Sequence, residues 1–256
     1  MKEFNNLIKI MKQLRNPVKG CPWDRKQTPG SLKEYVLEEA YELVEAIEKK
    51  SPPQQKEELG DLLLQIVFLS RIHQEKNNFD IRDVIETISK KLINRHPHIF
   101  GTATVSSAEE VKQNWEKIKK SEKKRDSILS DYPDAMPALS TAKRLGEQAS
   151  SVGFDWDNPP AALEKIEEEV EELKQELAKG SREKISEEVG DILFATANVA
   201  RLAGVNPEFA LRSANKKFSQ RFRYIEERLK EQGRDIEKAG LDEMEELWQQ
   251  AKSEKG

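Results

Sequence analysis

The chain has 256 residues, 35% of them charged and 36% hydrophobic, and its 43 basic and 47 acidic side chains give a formal net charge of −4. This length allows one large domain or two domains of ordinary size, each with its own core. The acidic balance argues against nucleic acid as a partner, since proteins that bind it usually carry a basic excess. The single cysteine, Cys21, excludes an intramolecular disulfide.

The first helical pattern, residues 1–14, has polar residues on one face and lacks the apolar region of a signal peptide. The most apolar segments further along, residues 62–69 and 192–200, are much shorter than the roughly 20 residues of a membrane-spanning helix. Together with the lone cysteine, these features lead us to expect a soluble, cytoplasmic protein without a membrane partner.

Helical patterns alternate with short breaks along the whole chain, and no segment favours a strand. Ser31 followed three residues later by Glu34 predicts a capping box. An N-cap residue before a proline, or a glycine before a serine, marks further helix boundaries. These predicted boundaries are Ser51-Pro52, Asn158-Pro159, Gly180-Ser181 and Asn206-Pro207. The predicted fold class is therefore all-α.

The sequence also contains an internal repeat. EELGD at residues 57–61 recurs as EEVGD at residues 187–191, and GCPWD at residues 20–24 recurs as GFDWD at residues 153–157. The other matched pairs follow in the same order: Glu38, Glu39 and Glu42 with Glu168, Glu169 and Glu172; Lys91 and Arg95 with Lys217 and Arg221; Trp115 and Lys119 with Trp248 and Lys252. We therefore predict two copies of one helical-bundle domain, residues 1–126 and 127–256, joined near residues 121–137.

In the second copy, four acids are predicted to converge. Glu169 and Glu172 lie three residues apart, beside an apolar stripe on one helix. Glu188 occupies a position in the apolar seam of the next helix, with Asp191 three residues later. A short turn around Gly180 makes the two helices an antiparallel hairpin. The predicted buried stripe of the first helix consists of Leu163, Ile166, Val170, Leu173 and Leu177.

A carboxylate in an apolar seam is costly unless it is paired or binds a metal. Oxygen-only ligands favour Mg²⁺, with Mn²⁺ as a substitute. The three histidines lack the Glu-x-x-His spacing of a di-iron site. We also expect Gly190, between Glu188 and Asp191, to allow close approach of a neighbouring helix. The first copy repeats the four acids as Glu39, Glu42, Glu58 and Asp61.

Two further pairs of side chains are suited to binding a polyphosphate. Lys217 and Arg221 are four residues apart and project from one helix face, as do Trp248 and Lys252. Taken singly, the cations are typical of a solvated helix face and the tryptophan of a packed residue. Their occurrence in both copies favours a functional role instead.

In combination, these motifs resemble the all-α nucleoside triphosphate pyrophosphohydrolases, and the tandem arrangement is similar to the MazG family. The resemblance covers nearly the whole chain. In the first copy it rests on GCPWDRKQT, VLEEAYELVEAI, EELGDLLLQIVF, RHPHIFG and NWEKIKK, and in the second on VGFDWDN, EEVGDILFATANVARLAG, NKKFSQRF and MEELWQQAK. It implies a helical bundle that forms a homodimer, and Mg²⁺-dependent hydrolysis of a nucleoside triphosphate to the monophosphate and pyrophosphate.

The resemblance also implies roles for individual residues and makes the second copy the principal catalytic site. The implied metal ligands are Glu169, Glu172, Glu188 and Asp191. The implied catalytic and substrate-binding residues are Lys217, Arg221, Trp248 and Lys252, and Glu168 is a further candidate substrate contact. The first copy's Glu39, Glu42, Glu58 and Asp61 form a second set that need not be active.

We expect broad base specificity, because the tandem duplication and the broad basic lining favour a less selective enzyme. Two alternatives stay open at this point. One is a narrower enzyme of the same class, acting on dUTP, dCTP or phosphoribosyl-ATP. The other is a non-catalytic helical module for dimerisation or regulation, although such a module does not account for Glu188 in the seam.

Overall fold

A computed structural model describes residues 2–122, 127–129 and 132–255. Within these ranges the chain is helical and contains no strand, so the all-α prediction is confirmed. The helices are α1 (Lys2–Leu14), α2 (Pro22–Lys26), α3 (Lys33–Glu48), α4 (Pro52–Glu75), α5 (Ile81–Arg95), α6 (Pro97–Phe100), α7 (Ala108–Ser121), α8 (Ala138–Ser150), α9 (Pro159–Lys179), α10 (Arg182–Leu202), α11 (Pro207–Glu231) and α12 (Leu241–Lys255), with a 3₁₀ turn at Ile236–Lys238.

The chain divides into two compact units, Met1–Lys124 and Arg125–Gly256. The predicted boundary after residue 126 falls on residues outside the described ranges and stays a prediction. Of the predicted linker, Ser121 is the last residue of α7, and the other described residues lie between α7 and α8. None of the helices in the described ranges combines the length and apolarity that a membrane crossing requires.

Most of the predicted helix boundaries are correct. Helices α4, α9 and α11 begin at the predicted prolines, and the Asn158 side chain accepts a hydrogen bond from the Ala161 N–H at 2.9 Å. The predicted capping box at Ser31 and Glu34 is wrong, because α3 begins at Lys33 and has no side-chain cap. The Ser31 hydroxyl instead accepts a hydrogen bond from the Thr28 N–H in the preceding turn.

Each unit contains one long antiparallel hairpin, α3 with α4 and α9 with α10. The turns of the two hairpins share an unusual backbone conformation. Gly180 has φ +74°, which glycine adopts without strain, and Lys50, 130 positions earlier, has φ +51°. The duplicated turn thus keeps one geometry, although one copy places a lysine where glycine is favoured.

In the first unit, α1 and α5 pack against α4. Arg15, at the end of α1, donates to both carboxylate oxygens of Glu75 on α4 and to the backbone of the segment that carries the GCPWD motif. Although burial opposes it, the hydrogen bond and charge of Arg15 lower the pKa of Glu75. This buried ion pair holds the loop against the hairpin. The core residues are Met11, Leu32, Val67, Phe68, Ile72 and Ile81.

In the second unit, α8 packs against α10, while α11 pairs with α12 around Ile225, Leu229 and Leu247. Arg201 on α10 bonds Asp155 of the GFDWD motif, with one N–O distance of 3.0 Å, and lowers the pKa of Asp155 to about 2. The two units therefore hold their corresponding loops with different ion pairs.

The predicted stripe on α9 is wrong at its two ends, since the side chains of Leu163 and Leu177 are 48% and 58% exposed. The buried positions are Ala162, Glu169 and Glu176, spaced seven residues apart. The helix is rotated about its axis from the orientation that its apolar residues predict. As a result Glu169 lies at the centre of the hairpin contact and not at its flank.

Candidate functional site

The second hairpin brings together acids from both of its helices. Glu169 and Glu172 of α9 and Glu188 of α10 each offer a carboxylate oxygen within 4.8 Å of the others. Glu169 is 5% exposed, Glu188 is partly buried, and Glu172 lies at the solvent side. The fourth predicted ligand, Asp191, is exposed and lies outside this trio of oxygens.

The carboxylates of this second cluster repel one another. Burial raises the pKa of Glu188, and the neighbouring charges of Glu172, Glu169 and Asp191 raise it further. Lys165 partly offsets the negative charge, because its ammonium lies 2.8 Å from Glu169 and 2.9 Å from Glu168. The cluster therefore favours protons or added cations over its fully ionised state.

The first hairpin has a related cluster of different composition. Glu39, Glu58 and Asp61 supply its three close oxygens. Burial raises the pKa of Glu39 and of Glu58, and the charge of Glu42 contributes to both increases. Gln65 donates from Nε2 to Glu39 at 3.4 Å. Each hairpin thus brings together three of its four predicted acids, with the fourth close enough to act electrostatically.

The expectation that Gly190 admits a neighbouring helix is wrong within this chain. A methyl group added at Gly190 or at Gly60 meets no described atom within 4 Å. Both glycines lie on the side of the helix that faces away from its hairpin partner. That side also presents Val189 and Leu193, which are 41% and 50% exposed.

The predicted basic and aromatic residues, called the basic group below, lie on α11 and α12. Arg221 on α11 lies 5.7 Å from the ring centre of Trp248 on α12, and Phe218 lies 5.1 Å from the same ring. Trp248 also packs against the core shared by α11 and α12. Lys217 and Lys252 are exposed.

The same pairing occurs in the first unit. The Arg95 guanidinium lies 5.1 Å from the ring centre of Trp115. There, however, Glu122 forms an ion pair with Arg95, and His96 contacts Trp115 edge to face. The arginine of the first unit is therefore already neutralised by a neighbouring acid.

Within one chain, no polar bond links the basic group to the acids among the described residues. Among the described residues, no hydrogen bond or ion pair joins Lys217, Arg221 or Lys252 to the second acidic cluster, and α11 packs chiefly on α12. The sequence placed these residues in one site through their repetition in both copies and through the family resemblance. A residue repeated in both copies shows that the two positions share an origin. It does not show how far the basic residues lie from the acids.

Sequence reasoning missed Lys165 and Gln65. Lys165 precedes Glu169 by four residues, a spacing that predicts an ion pair on a helix. The repeat obscured both residues, because Lys165 corresponds to Tyr35 in the first copy and Gln65 to Ala195 in the second. A search for positions that differ between the copies would have found them.

The residues of the two acidic clusters fit a hard divalent ion. Their donors are carboxylate oxygens from two helices, partly buried and crowded, and Mg²⁺ and Mn²⁺ prefer such ligands. No histidine or cysteine of the described residues joins either cluster, so the donor set does not suit zinc.

Comparison with known proteins identifies the helical hairpins. Residues 27–100 and 158–226 both match the MazG nucleotide pyrophosphohydrolase domain, and each match includes one hairpin with its acids. The chain belongs to the MazG family. The predicted resemblance and the tandem arrangement are thereby confirmed.

Relatives match along almost the entire MazG chain. A Thermotoga maritima protein named nucleoside triphosphate pyrophosphohydrolase/pyrophosphatase MazG is 48% identical over 251 residues, which cover 97% of this chain and 95% of that protein. An Escherichia coli K12 protein named nucleoside triphosphate pyrophosphohydrolase is 40% identical over 257 residues, or 98% of each chain. An uncharacterized Bacillus subtilis protein is 45% identical over 98% of this chain, which matches 52% of that longer protein.

Proposed function

We propose that this protein hydrolyses nucleoside triphosphates to the monophosphate and pyrophosphate, using Mg²⁺ or, in its place, Mn²⁺. The observation that carries the proposal is the trio of Glu169, Glu172 and Glu188 on one hairpin, with Lys165 beside it. The names of the Thermotoga maritima and Escherichia coli relatives agree with this activity. Such a cluster is costly to the fold unless it binds cations.

In the proposed reaction, water attacks the α-phosphorus, the bond to the bridging oxygen breaks, and pyrophosphate leaves with that oxygen. A divalent ion bound by Glu169, Glu172, Glu188 and Asp191 would polarise the phosphate oxygens and acidify a water molecule. Lys217, Arg221 and Lys252 would offset the negative charge that develops on the leaving group. Trp248 would wall the pocket, and Glu168 would contact the substrate.

The active form we propose is a homodimer, in which the basic helices of one copy complete the acidic site of the other. Two observations support this arrangement. The basic group makes no bond to the acids of its own chain among the described residues. The outer face of the second hairpin is apolar and accessible beside Gly190, through Val189 and Leu193.

An activity panel tests the reaction itself. The chain is incubated with each canonical nucleoside triphosphate and with dUTP, dCTP and phosphoribosyl-ATP, and pyrophosphate is quantified with and without Mg²⁺. We expect Mg²⁺-dependent release of pyrophosphate from nucleoside triphosphates with several different bases. Release from a single substrate would support the narrower enzyme, and no release with no effect of Mg²⁺ on thermal stability would support the non-catalytic module.

Mixing two inactive variants tests the shared site. One chain carries Glu188→Gln with Asp191→Asn, and the other carries Lys217→Ala with Arg221→Ala. If each site combines acids of one copy with cations of the other, the mixture recovers a fraction of the parent activity. A mixture as inactive as its components, although the two chains associate, contradicts the shared site.

A substitution at the apolar face tests the dimer. Leu193→Glu is expected to produce a monomer by sedimentation, because it places a charge in the proposed interface. Leu241→Glu is the matched control, since Leu241 is 77% exposed and lies outside this face. A dimer that survives Leu193→Glu would place the interface elsewhere.

We further propose that residues 127–256 form the principal catalytic domain and that the protein works in the cytoplasm. The first proposal rests on the charge-compensating Lys165, which the first copy lacks. The second rests on the single cysteine, which is compatible with a reducing compartment.

A further inference from the structure

The first unit contains a cavity whose lining includes none of the clustered acids. Its volume is about 560 Å³, and residues of α1, α4 and α5 form most of its lining. Small-molecule sites in proteins usually measure about 300–1,000 Å³ and have largely apolar walls. The cavity therefore has the size of a ligand site, and its lining residues indicate the class of ligand.

The floor of this cavity is aliphatic. Met11 of α1, Val67 of α4 and Ile81 of α5 form it, and all three are buried. Ile85 also lines the cavity and is 44% exposed. Phe4 is the one aromatic side chain among the described lining residues. A hydrocarbon chain is therefore favoured over a planar ring, which binds best against paired aromatic surfaces.

Positive charge dominates the polar part of the lining. Lys9, Lys12, Arg71 and Arg82 contribute four cations, whereas Asp80 is the one acid among the described lining residues. The Asp80 carboxylate caps α5, because it accepts a hydrogen bond from the Arg82 N–H at 2.7 Å. Much of its charge is thus offset by the start of that helix. The cavity combines an aliphatic floor with a cationic rim.

Arg71 is the cation of this rim that the structure holds in place. Its side chain is 19% exposed. Its Nε donates to Glu75 at 3.0 Å, and its Nη1 donates to Gln74 at 2.7 Å. Glu75 also forms an ion pair with Arg15, so two guanidinium groups share one carboxylate. A guanidinium has more N–H donors than these two bonds use, so Arg71 can still bind an anion.

The second unit differs at the corresponding positions. Arg201 lies 130 residues after Arg71, and it uses all three of its side-chain nitrogens in hydrogen bonds within its own unit. Glu208 is the second residue of α11, where Arg82 is the second residue of α5. The position thus has the opposite charge in the two units. An anion site is therefore expected in the first unit only.

We propose that this cavity binds an aliphatic carboxylate, whose chain lies on the floor of the cavity and whose head group is bound by Arg71, Lys9 and Lys12. Burial of the chain favours binding by about fourfold for each methylene group, and the cations of the rim offset the charge of the head group. The inference goes beyond the proposed function and does not depend on it, because no residue of either acidic cluster lines the cavity.

The test follows the cavity floor directly in the full chain. The sequence has four methionines, and Met11 lies at this floor, whereas Met244 packs in the core of the second unit. Decanoate is titrated below its micelle concentration into protein with ¹³C-labelled methionine methyl groups, and the signals are followed by NMR. We expect a saturable shift of the Met11 methyl signal and no shift at Met244. An equal shift at both would indicate general action of a detergent and would overturn the inference.

Two further probes separate the contributions of the chain and of the head group. Butanoate has the same head group and a shorter chain, and it should bind at least about a hundredfold more weakly than decanoate. Decyltrimethylammonium has the same chain and the opposite charge, and it should cause no saturable shift at Met11. Equal affinity of butanoate and decanoate would contradict the aliphatic floor, and equal affinity of the two ten-carbon probes would contradict the cationic rim.

Variants of the rim complete the test. Arg71→Met should weaken decanoate binding about tenfold, on the scale of one charge-assisted hydrogen bond. Lys9→Met with Lys12→Met should weaken it about threefold, and this exposed pair decides the question if Arg71→Met does not fold. Lys26→Met with Lys33→Met is the matched control, because both lysines are exposed and lie outside the cavity. A loss as large in this control, or no shift of the methyl signal at the cavity floor, would overturn the inference.

Discussion

The two halves of this MazG chain keep the same acids and differ in what surrounds them. In the second half, Lys165 lies 2.8 Å from Glu169 and offsets part of the negative charge. In the first half, the corresponding Tyr35 meets Trp23 and borders a cavity beside Glu39. The comparison teaches that a duplicated cluster can keep its ligands while its neighbours diverge toward different tasks.

The basic and aromatic pairs differ in the same way. Arg221 lies against Trp248 without an ion pair among the described residues, whereas Arg95 lies against Trp115 and pairs with Glu122. An arginine neutralised by an acid within its own half is less able to offset phosphate charge. Both differences favour catalysis in the second half.

The largest expected effect follows from this asymmetry. Glu188→Gln with Asp191→Asn should lower pyrophosphate release at least about a thousandfold, because several kcal/mol of metal-dependent stabilisation are lost. Glu58→Gln with Asp61→Asn should leave most of the activity. Steady-state pyrophosphate assays on the two double variants measure both. If the first-half pair proved the lethal one, the working half would be misassigned.

The two loop-holding ion pairs give the next largest effect. Arg201→Met removes the ion pair of Asp155 and should lower the free energy of unfolding by about 3 kcal/mol, whereas Arg15→Met should cost less, because Glu75 keeps its ion pair with Arg71. Chemical denaturation measures both. Arg82→Met is the matched control, because the Arg82 side chain is 90% exposed and its nearest acid oxygen is 3.9 Å away. If Arg82→Met lowered the free energy of unfolding as much as Arg201→Met, this explanation would be wrong.

The ion pair in the second half also predicts a pH dependence. The pKa of Asp155 falls from 3.8 to about 2 on folding, so the ionised carboxylate is favoured in the folded state. Its contribution, on the order of 2 kcal/mol, is fully present above about pH 4 and is lost as the pH falls toward 2. The difference in stability between the parent and Asp155→Asn should therefore narrow over this range.

A smaller effect concerns the stability of the fold when the acidic clusters hold no metal ion. The folded pKa of Glu188 is raised above its model-compound value of 4.5, so ionised Glu188 destabilises the metal-free fold at neutral pH, and this effect vanishes as the pH falls below 4.5. Glu188→Gln should therefore raise the metal-free melting temperature slightly at pH 7 and not at pH 4. Mg²⁺ should then stabilise the parent more than the variant.

Glu58→Gln should behave in the same way, since the pKa of Glu58 is also raised by burial and by Glu42. Glu187→Gln is the control, because Glu187 is exposed and lies outside the cluster. If Glu187→Gln raised the metal-free melting temperature by as much, the change in net charge alone would explain the effect.

The smallest effect compares the hairpin turns. Gly180→Lys should lower the free energy of unfolding by about 1 kcal/mol, because a side chain is unfavourable at positive φ. Lys50→Gly should raise it by less, since the greater freedom of glycine in the unfolded chain opposes the gain. Lys49→Gly, at φ −72°, should only destabilise. Opposite signs for Lys49→Gly and Lys50→Gly in denaturation experiments are the decisive outcome.

The helices and the repeat were predictable because they are written in local patterns. Prolines at helix starts, apolar spacing and repeated acids predicted α4, α9 and α11 and the duplicated hairpins correctly. The Ser31 capping box failed because a competing hydrogen bond to Thr28 satisfies the same hydroxyl. A local pattern indicates which hydrogen bonds a residue can form, but it does not determine which of them forms in the folded chain.

By itself, the sequence determined that this MazG chain is all-α, that it is duplicated, and that each copy carries two acid pairs on adjacent helices. Only the tertiary structure decided how α9 rotates against α10, which buries Glu169 and leaves Leu163 exposed. It alone placed Gln65 in a cavity wall beside Glu39. Helical periodicity determines which residues share a face, whereas the packing of two helices determines what that face meets.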